Sequence, residues 1–172
     1  MSLPKILAAY PDDAPIGELR TPEHFIIHVL RLWNVQDERT EPGDGPWSDG
    51  FRMAGIGQQG TGAFVSLTRI VEAASRRRLD IRCPRCPQLG ADEGRFLQAI
   101  ALAQHGRSAE SALVLGDWLP SSALRAAIGP LEVLAAALAA RRLKVPLRHA
   151  AVVLPGDLRI PANAGRGLSL VH

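Results

Sequence analysis

Aromatic residues, lysine and cysteine are scarce in this chain. Of its 172 residues, 5% are aromatic, two are lysine against 18 arginines, and two are cysteine. A core with so few aromatic side chains has to be built mainly from Leu, Ala, Val and Ile, which suits closely packed helices better than a β-sandwich. The excess of arginine over lysine, together with the alanine content, is typical of GC-rich bacterial genomes and carries no information on function.

Long apolar runs are missing as well. No run approaches the ~18 consecutive apolar residues that are needed to span a membrane. The apolar stretch 6–10 is too short for the hydrophobic region of a secretory signal, and no cleavage site follows it. We therefore expect a soluble cytoplasmic protein that does not associate with membranes. In such a reducing compartment, two cysteines are more often thiols or metal ligands than a disulfide.

The rest of the composition is that of an ordinary globular protein. Hydrophobic residues make up 47% and charged residues 22% of the chain, and its length is sufficient to bury a core in one domain. We expect a single domain, 1–172, with an N-terminal loop segment at 1–20 and a helical body at 21–146. Residues 147–172 are expected to form an extended or flexible tail.

Apolar residues recur at spacings of three and four through most of the body, which predicts an all-α, bundle-like fold of about six helices. Thr21-Pro22-Glu23 is a favourable helix start, and Gly129-Pro130 is expected to break a helix. The predicted helical segments are 21–33, a short turn at 47–54, 61–79, 93–105 with Asp92 as its cap, 109–119, a short helix from 121 or 122, and 131–143.

Two segments lack this periodicity. Residues 34–60 carry six glycines and two prolines and are expected to form a long Gly-rich loop around the short turn. Residues 149–160 are apolar and β-prone, with Pro155-Gly156-Asp157 in the middle. They predict either a small β-hairpin or an extended arm that packs on the body or on a second subunit.

One local pattern resembles a known repeat. Ala101…Gly106-Arg107…Ala112…Leu115…Pro120 resembles a single tetratricopeptide-type helical hairpin. A solenoid requires at least three such units to bury its faces, so a single unit implies only an antiparallel helix pair at 92–120.

The sharpest chemical motif is Cys83-Pro84-Arg85-Cys86, which lies between two helical segments. Two thiolates at this spacing can bind one zinc ion, which then requires two further ligands. His24 and His28 are four residues apart on one predicted helix and can share a metal ion. We therefore name Cys83, Cys86, His24 and His28 as candidate zinc ligands, with His105 and His149 as further candidates.

Three other interpretations of the cysteine pair remain open. A redox pair normally lies at a helix N-terminus beside a βαβ unit, which this sequence does not predict. A zinc site shared by two chains would use one pair from each. The sequence favours a third interpretation, a tight Pro-rich turn in which the cysteines are small buried apolar side chains.

Gly55-Ile56-Gly57-Gln58-Gln59-Gly60 matches the dinucleotide fingerprint G-x-G-x-x-G, and Asp80 follows twenty residues later. The fingerprint requires a strand before the glycines and a parallel sheet around them. Neither is predicted here, so we interpret the glycines as a flexible entry to the helix at 61. No cofactor is expected.

The basic residues fall in two clusters, each at a predicted helix C-terminus, where the helix dipole already favours cations. Together the clusters would form a phosphate-binding patch, although no nucleic-acid-binding motif accompanies them. The clusters are Arg69, Arg76, Arg77, Arg78, Arg82 and Arg85, and then Arg141, Arg142, Lys144 and Arg148.

The sequence contains no G-x-S-x-G, P-loop or H-E-x-x-H motif, and nothing in it favours an enzyme. We expect the protein to act by binding another protein chain, in an adaptor or regulatory role that includes self-association. The expected contact area comprises Trp47, Phe51, the tail 149–160 and the helix pair 92–120. Zinc binding is the alternative, and phosphate or nucleic-acid binding through the arginine clusters is the second alternative.

Overall fold

A computed structural model of the chain describes residues 5–6, 8–36, 45–148 and 152–153. Within these ranges the fold is mostly helical, and the predicted all-α, bundle-like architecture with about six helices is confirmed. The helices are α1 (Thr21–Asn34), α2 (Pro46–Met53), α3 (Gln58–Ala74), α4 (Ala91–Gln104), α5 (Ser108–Leu115) and α6 (Ser121–Ala140). A 3-10 turn, Ile16–Glu18, precedes α1.

The helices pack in two groups around one core. Helix α6 contacts α3, α4 and α5, while α1 contacts α2 and α4. The core is dominated by Leu, Ala, Ile and Val, as the scarcity of aromatic residues predicts. Helices α4 and α5 contact each other across a short connection, in agreement with the predicted helix pair at 92–120.

Most of the aromatic residues gather in one cluster that holds α2 against α1 and α3. Trp47 and Phe51 of α2 lie against Trp33 and Phe64, with ring centroids 5.0 Å apart for Trp33 and Trp47 and also for Phe51 and Phe64. Trp47 is fully buried and Phe51 nearly so. The prediction that these two residues form an external contact surface is therefore wrong, because they anchor the short helix in the Gly-rich segment to the core.

The G-x-G-x-x-G stretch follows a helix, α2, and not a strand. Gly55 ends α2 with a φ of +70°, a conformation that favours glycine, and Gly57 precedes the first residue of α3. Gly60 is buried, and a Cβ atom placed there would lie 2.7 Å from the Cβ of Ala137 in α6. The motif therefore permits close packing of α3 on α6, and α3 begins at Gln58 instead of Thr61.

Helix α3 also ends earlier than predicted, at Ala74 and not at Leu79. Arg76, Arg77 and Arg78 consequently lie beyond the helix, and the interpretation that they occupy its last turn is wrong. Helix α5 is likewise shorter than the predicted 109–119, because it ends at Leu115.

Helix α6 runs through Gly129-Pro130 without a break. Proline removes the hydrogen bond to the carbonyl four residues earlier, which here belongs to Ala126. Ala126 is exposed, so water can satisfy that carbonyl. The packing of Leu131, Leu134 and Leu138 into the core holds the helix together despite the proline.

Helix α6 also departs from the expectation that no segment approaches a membrane span. By length and composition it is long and apolar enough to cross a membrane, and 28% of the apolar window is buried inside the protein. Its buried face packs on α3, α4 and α5.

Two short strands occur among the described residues, one before and one after the helical body. Strand β1 (Lys5–Ile6) pairs antiparallel with β2 (Val152–Val153). Within the β-prone stretch at 149–160, residues 152–153 therefore pair with the N-terminal segment. The other half of the predicted hairpin, at 158–160, lies outside the described residues.

Candidate functional site

The non-helical segment between α3 and α4, residues 75–90, carries the cysteine pair; we call it the connecting segment. Glu93, in the first turn of α4, fastens it to the body. Its carboxylate accepts hydrogen bonds from the backbone N–H groups of Gly90 (2.7 Å) and Arg82 (3.1 Å). It also forms an ion pair with the Arg31 guanidinium, with an Nε–Oε1 distance of 2.6 Å. Glu93 is completely buried, and a fourth donor, Arg31 Nη2 at 2.8 Å, completes its hydrogen bonding.

Arg31 of α1 completes this attachment. The sequence places it on the polar face of α1, but only 1% of it is exposed. Its Nη1 donates to the Cys86 carbonyl and its Nη2 to the Gln88 carbonyl, both at 2.7 Å. A buried ion pair contributes to stability only when further hydrogen bonds satisfy its polar atoms, and here the connecting segment supplies them.

Asp92 is the second acid that holds the connecting segment. It does not cap α4 as predicted, because Gly90 precedes the first residue of that helix. Its carboxylate instead accepts two bonds of 2.7 Å from Arg77, one from the Asp80 N–H and one from Trp118 Nε1. Burial by itself would raise the pKa of Asp92, but these donors hold that pKa below its ordinary value.

The cysteines lie in a turn of this segment, Cys83–Cys86, closed by a hydrogen bond of 3.0 Å from the Cys86 N–H to the Cys83 carbonyl. We call it the cysteine turn. Cys83 is exposed and Cys86 is half-buried. The interpretation of both cysteines as buried apolar side chains is therefore wrong for Cys83, although the Pro-rich turn itself is present.

The turn faces α1, which carries the two predicted histidine ligands. His24, His28 and Cys86 line the same surface depression of about 450 Å³. Nevertheless, within the described ranges no three histidine, cysteine or acidic side chains are close enough together to hold a metal ion. The zinc site of Cys83, Cys86, His24 and His28 stays a prediction. His105 lies elsewhere, with its Nδ1 2.8 Å from the Ala101 carbonyl.

On another side of the connecting segment, a cleft of about 240 Å³ opens between the C-terminal ends of α1 and α3 and the start of α4. We call it the Trp33 cleft. Its wall is mainly apolar and is formed by the side chains of Leu30, Trp33, Val71, Leu79, Ile81, Phe96 and Trp118.

The polar groups of the Trp33 cleft are mostly paired. Trp33 Nε1 donates to Glu72 at 2.5 Å, and Trp118 Nε1 donates to Asp92 at 2.9 Å. Both indole N–H groups therefore have hydrogen-bond partners. Ser75 differs, because its Oγ is buried and has no hydrogen-bond partner in the described part of the protein. Because this Oγ has almost no accessible surface, a ligand in the cleft can bond it only after the Ser75 side chain rotates toward the cleft.

The two arginine clusters do not form one unpaired patch. Arg77 pairs with Asp92, Arg82 with Asp13 and Asp80, and Arg148 with Glu23. Arg76 and Arg78 are exposed, and no carboxylate of the described residues pairs with them. Arg78 and Glu72 both line the Trp33 cleft and offset each other's charge, so any excess of positive charge beside the cleft comes from the neighbouring exposed Arg76.

The sequence reasoning missed Arg31, Glu93 and the whole Trp33 cleft. Glu93 carried a usable signal, since an acid at the third position of a helix commonly bonds the N–H groups before it. Arg31 carried none, because its partners are more than fifty residues away in sequence.

Comparison with models of known families, with curated proteins and with solved structures gives no match for this chain.

Proposed function

We propose that this protein acts by binding a protein partner, and that the Trp33 cleft receives one apolar side chain from an acidic segment of that partner. The observation that carries the proposal is the cleft itself, an apolar cavity with one unpaired buried hydroxyl, that of Ser75, and two exposed cations beside it, Arg76 and Arg78. It agrees with the protein-binding role expected from the sequence, but it uses a different surface.

The size of the cleft favours a side chain over a cofactor or a metabolite. Sites for small molecules usually enclose about 300–1,000 Å³, and this cleft encloses about 240 Å³. Protein interfaces commonly bury one aromatic or large aliphatic anchor in such a cavity, and that anchor supplies much of the binding free energy. Leu79 and Ile81 are half-buried and supply apolar surface that such an anchor can contact, whereas Trp33 and Trp118 are almost completely buried.

The charge around the cleft favours an acidic partner segment. Arg76 and Arg78 are solvent-exposed cations without a described carboxylate partner. Charges at the rim of an interface act mainly on the rate of association and on specificity. Glu72 lies at the same edge and keeps its negative charge while it accepts the Trp33 N–H, but Arg76 and Arg78 together outnumber it.

A peptide library displayed on phage, selected on the immobilised full-length chain, tests this proposal. We expect enriched peptides with one large apolar residue next to acidic residues. Their binding should be lost in Ser75→Leu, which fills the cleft, and weakened in Arg78→Glu. Ser66→Leu is the matched control, because Ser66 is exposed on α3, the helix that ends just before Ser75, and does not line the cleft.

Two results would overturn the proposal. One is enrichment of peptides that bind Ser75→Leu as well as the unchanged protein. The other is that no peptides are enriched, while 3-phenylpropionate raises the thermal stability of the unchanged protein and not that of Ser75→Leu. That result would assign the cleft to a small carboxylate.

A further inference from the structure

The cysteine turn is presented in a fixed geometry at the surface. The hydrogen bond between the Cys86 N–H and the Cys83 carbonyl makes it a β-turn, whose first and fourth Cα atoms lie within about 7 Å. Cys83 is exposed and Cys86 is half-buried, so an ion from solvent can reach the pair. Neither thiol is part of a disulfide.

Both sides of the turn are fastened to buried groups. Before it, the Arg82 N–H donates to Glu93; after it, the Cys86 and Gln88 carbonyls accept from Arg31. The Pro87 carbonyl also accepts from the Ile16 N–H at 2.8 Å. A buried ion pair is seldom more stable than an apolar pair of similar volume. The Arg31–Glu93 pair therefore makes its main contribution by holding this turn, as a preorganised ligand pair requires.

We propose that Cys83 and Cys86, as thiolates, bind one Cu(I) ion. Structural zinc requires four ligands, whereas the described residues offer no third group at a suitable distance. Cu(I) is a soft ion that prefers thiolate sulfur, and two thiolates in a linear arrangement satisfy it. Binding displaces both thiol protons to solvent and changes no oxidation state.

The charge near the turn suits this complex. Two thiolates and one Cu(I) carry a net charge of −1, and Arg85 lies within the turn, between the two cysteines. Arg82, which precedes the turn, already pairs with Asp13 and Asp80. Arg85 is exposed beside the depression and has no carboxylate partner among the described residues.

A competition titration tests the proposal. The reduced protein is titrated with Cu(I) under anaerobic conditions in the presence of the chromophoric chelator bicinchoninate. We expect one equivalent of Cu(I) to move from the chelator to the protein and a thiolate-to-copper absorption band to appear in the ultraviolet. Cys83→Ser and Cys86→Ser should each lose the band and the competition for Cu(I). Circular dichroism would show that these exposed-turn variants remain folded.

His28→Ala is the control variant, and it should retain both the band and the stoichiometry. A parallel titration with Zn(II) against a chromophoric zinc chelator distinguishes the two metals. Tight zinc binding that requires the cysteines together with His24 or His28 would overturn the Cu(I) proposal in favour of the zinc site. Failure of the unchanged protein to withdraw Cu(I) from bicinchoninate would overturn it as well.

Discussion

The Ser75 hydroxyl stands out among the buried polar groups, because most of the others are well satisfied. Ser111 Oγ, for example, donates to the Ala99 carbonyl at 2.8 Å and is fully buried. A buried hydroxyl without a partner destabilises the folded state, since it has lost its hydrogen bonds to water. Such a group is commonly retained where a ligand needs it, which links Ser75 to the proposed role of the Trp33 cleft.

We therefore expect Ser75→Ala and Ser111→Ala to have opposite effects. Ser75→Ala should leave the free energy of unfolding unchanged or raise it by up to about 1 kcal/mol, because no protein hydrogen bond is removed. Ser111→Ala should lower it by about 1 kcal/mol. Urea unfolding of both variants measures the difference. A loss for Ser75→Ala as large as that for Ser111→Ala would contradict the absence of a partner.

At the level of secondary-structure elements, the packing of α3 on α6 organises the larger part of the bundle. It depends on the small residues Gly60 and Ala137, where the two helices are in close contact. Glycine in a helix interior normally lowers stability by up to about 1 kcal/mol relative to alanine. Its presence at position 60 is explained by the approach of α6 and not by any need for backbone freedom.

Two glycine substitutions in α3 separate these effects. A Cβ atom at Gly60 would lie 2.6 Å from Ile56 Cγ2 and 2.7 Å from Ala137 Cβ, whereas one at Gly62 would meet nothing within 4 Å. We expect Gly60→Ala to lower the free energy of unfolding by about 1–3 kcal/mol through overpacking. Gly62→Ala should raise it by up to about 1 kcal/mol. Thermal and urea unfolding measure both variants. If Gly60→Ala and Gly62→Ala changed the free energy of unfolding equally, α3 and α6 could not be in close contact at Gly60.

At the level of the whole molecule, a buried carboxylate joins segments that are far apart in the chain. Glu23 accepts hydrogen bonds from Tyr10 Oη at 2.7 Å and from the Arg148 guanidinium at 3.0 Å. Arg148 also lies over the Tyr10 ring, 4.7 Å from its centroid. Burial, followed by the hydrogen bond to Glu23, raises the pKa of Tyr10 above its ordinary range.

Tyr10 is the single tyrosine of the chain, so its ionisation can be followed directly. A raised pKa in the folded state contributes stability that is complete below the unfolded pKa of about 10 and is lost as the pH rises through the folded pKa. We expect tyrosinate absorbance to appear only as the helical circular dichroism signal is lost at high pH.

The urea-unfolded chain is the control for this titration, and its tyrosine should titrate with a pKa of about 10. Tyrosinate formation near that pH with the helical signal intact would show that Tyr10 is not buried against Glu23 in solution.

The sequence by itself determined the helical class, the approximate helix count and several helix positions. These follow from local physics: the spacing of apolar residues, and a start signal such as Thr21-Pro22-Glu23, which coincides with the first residues of α1. The short helix around Trp47 was also predictable, because a structureless loop of that length is uncommon in a compact domain.

The tertiary structure alone decided which polar residues are buried and where cavities form. Arg31 is buried because residues 86–93 supply its partners, and α6 continues through Pro130 because its apolar face packs on three other helices. The Trp33 cleft combines parts of α1, α3, α4 and the connecting segment. Contacts between residues distant in sequence leave no periodic signal in any one segment, so no local pattern could have placed them.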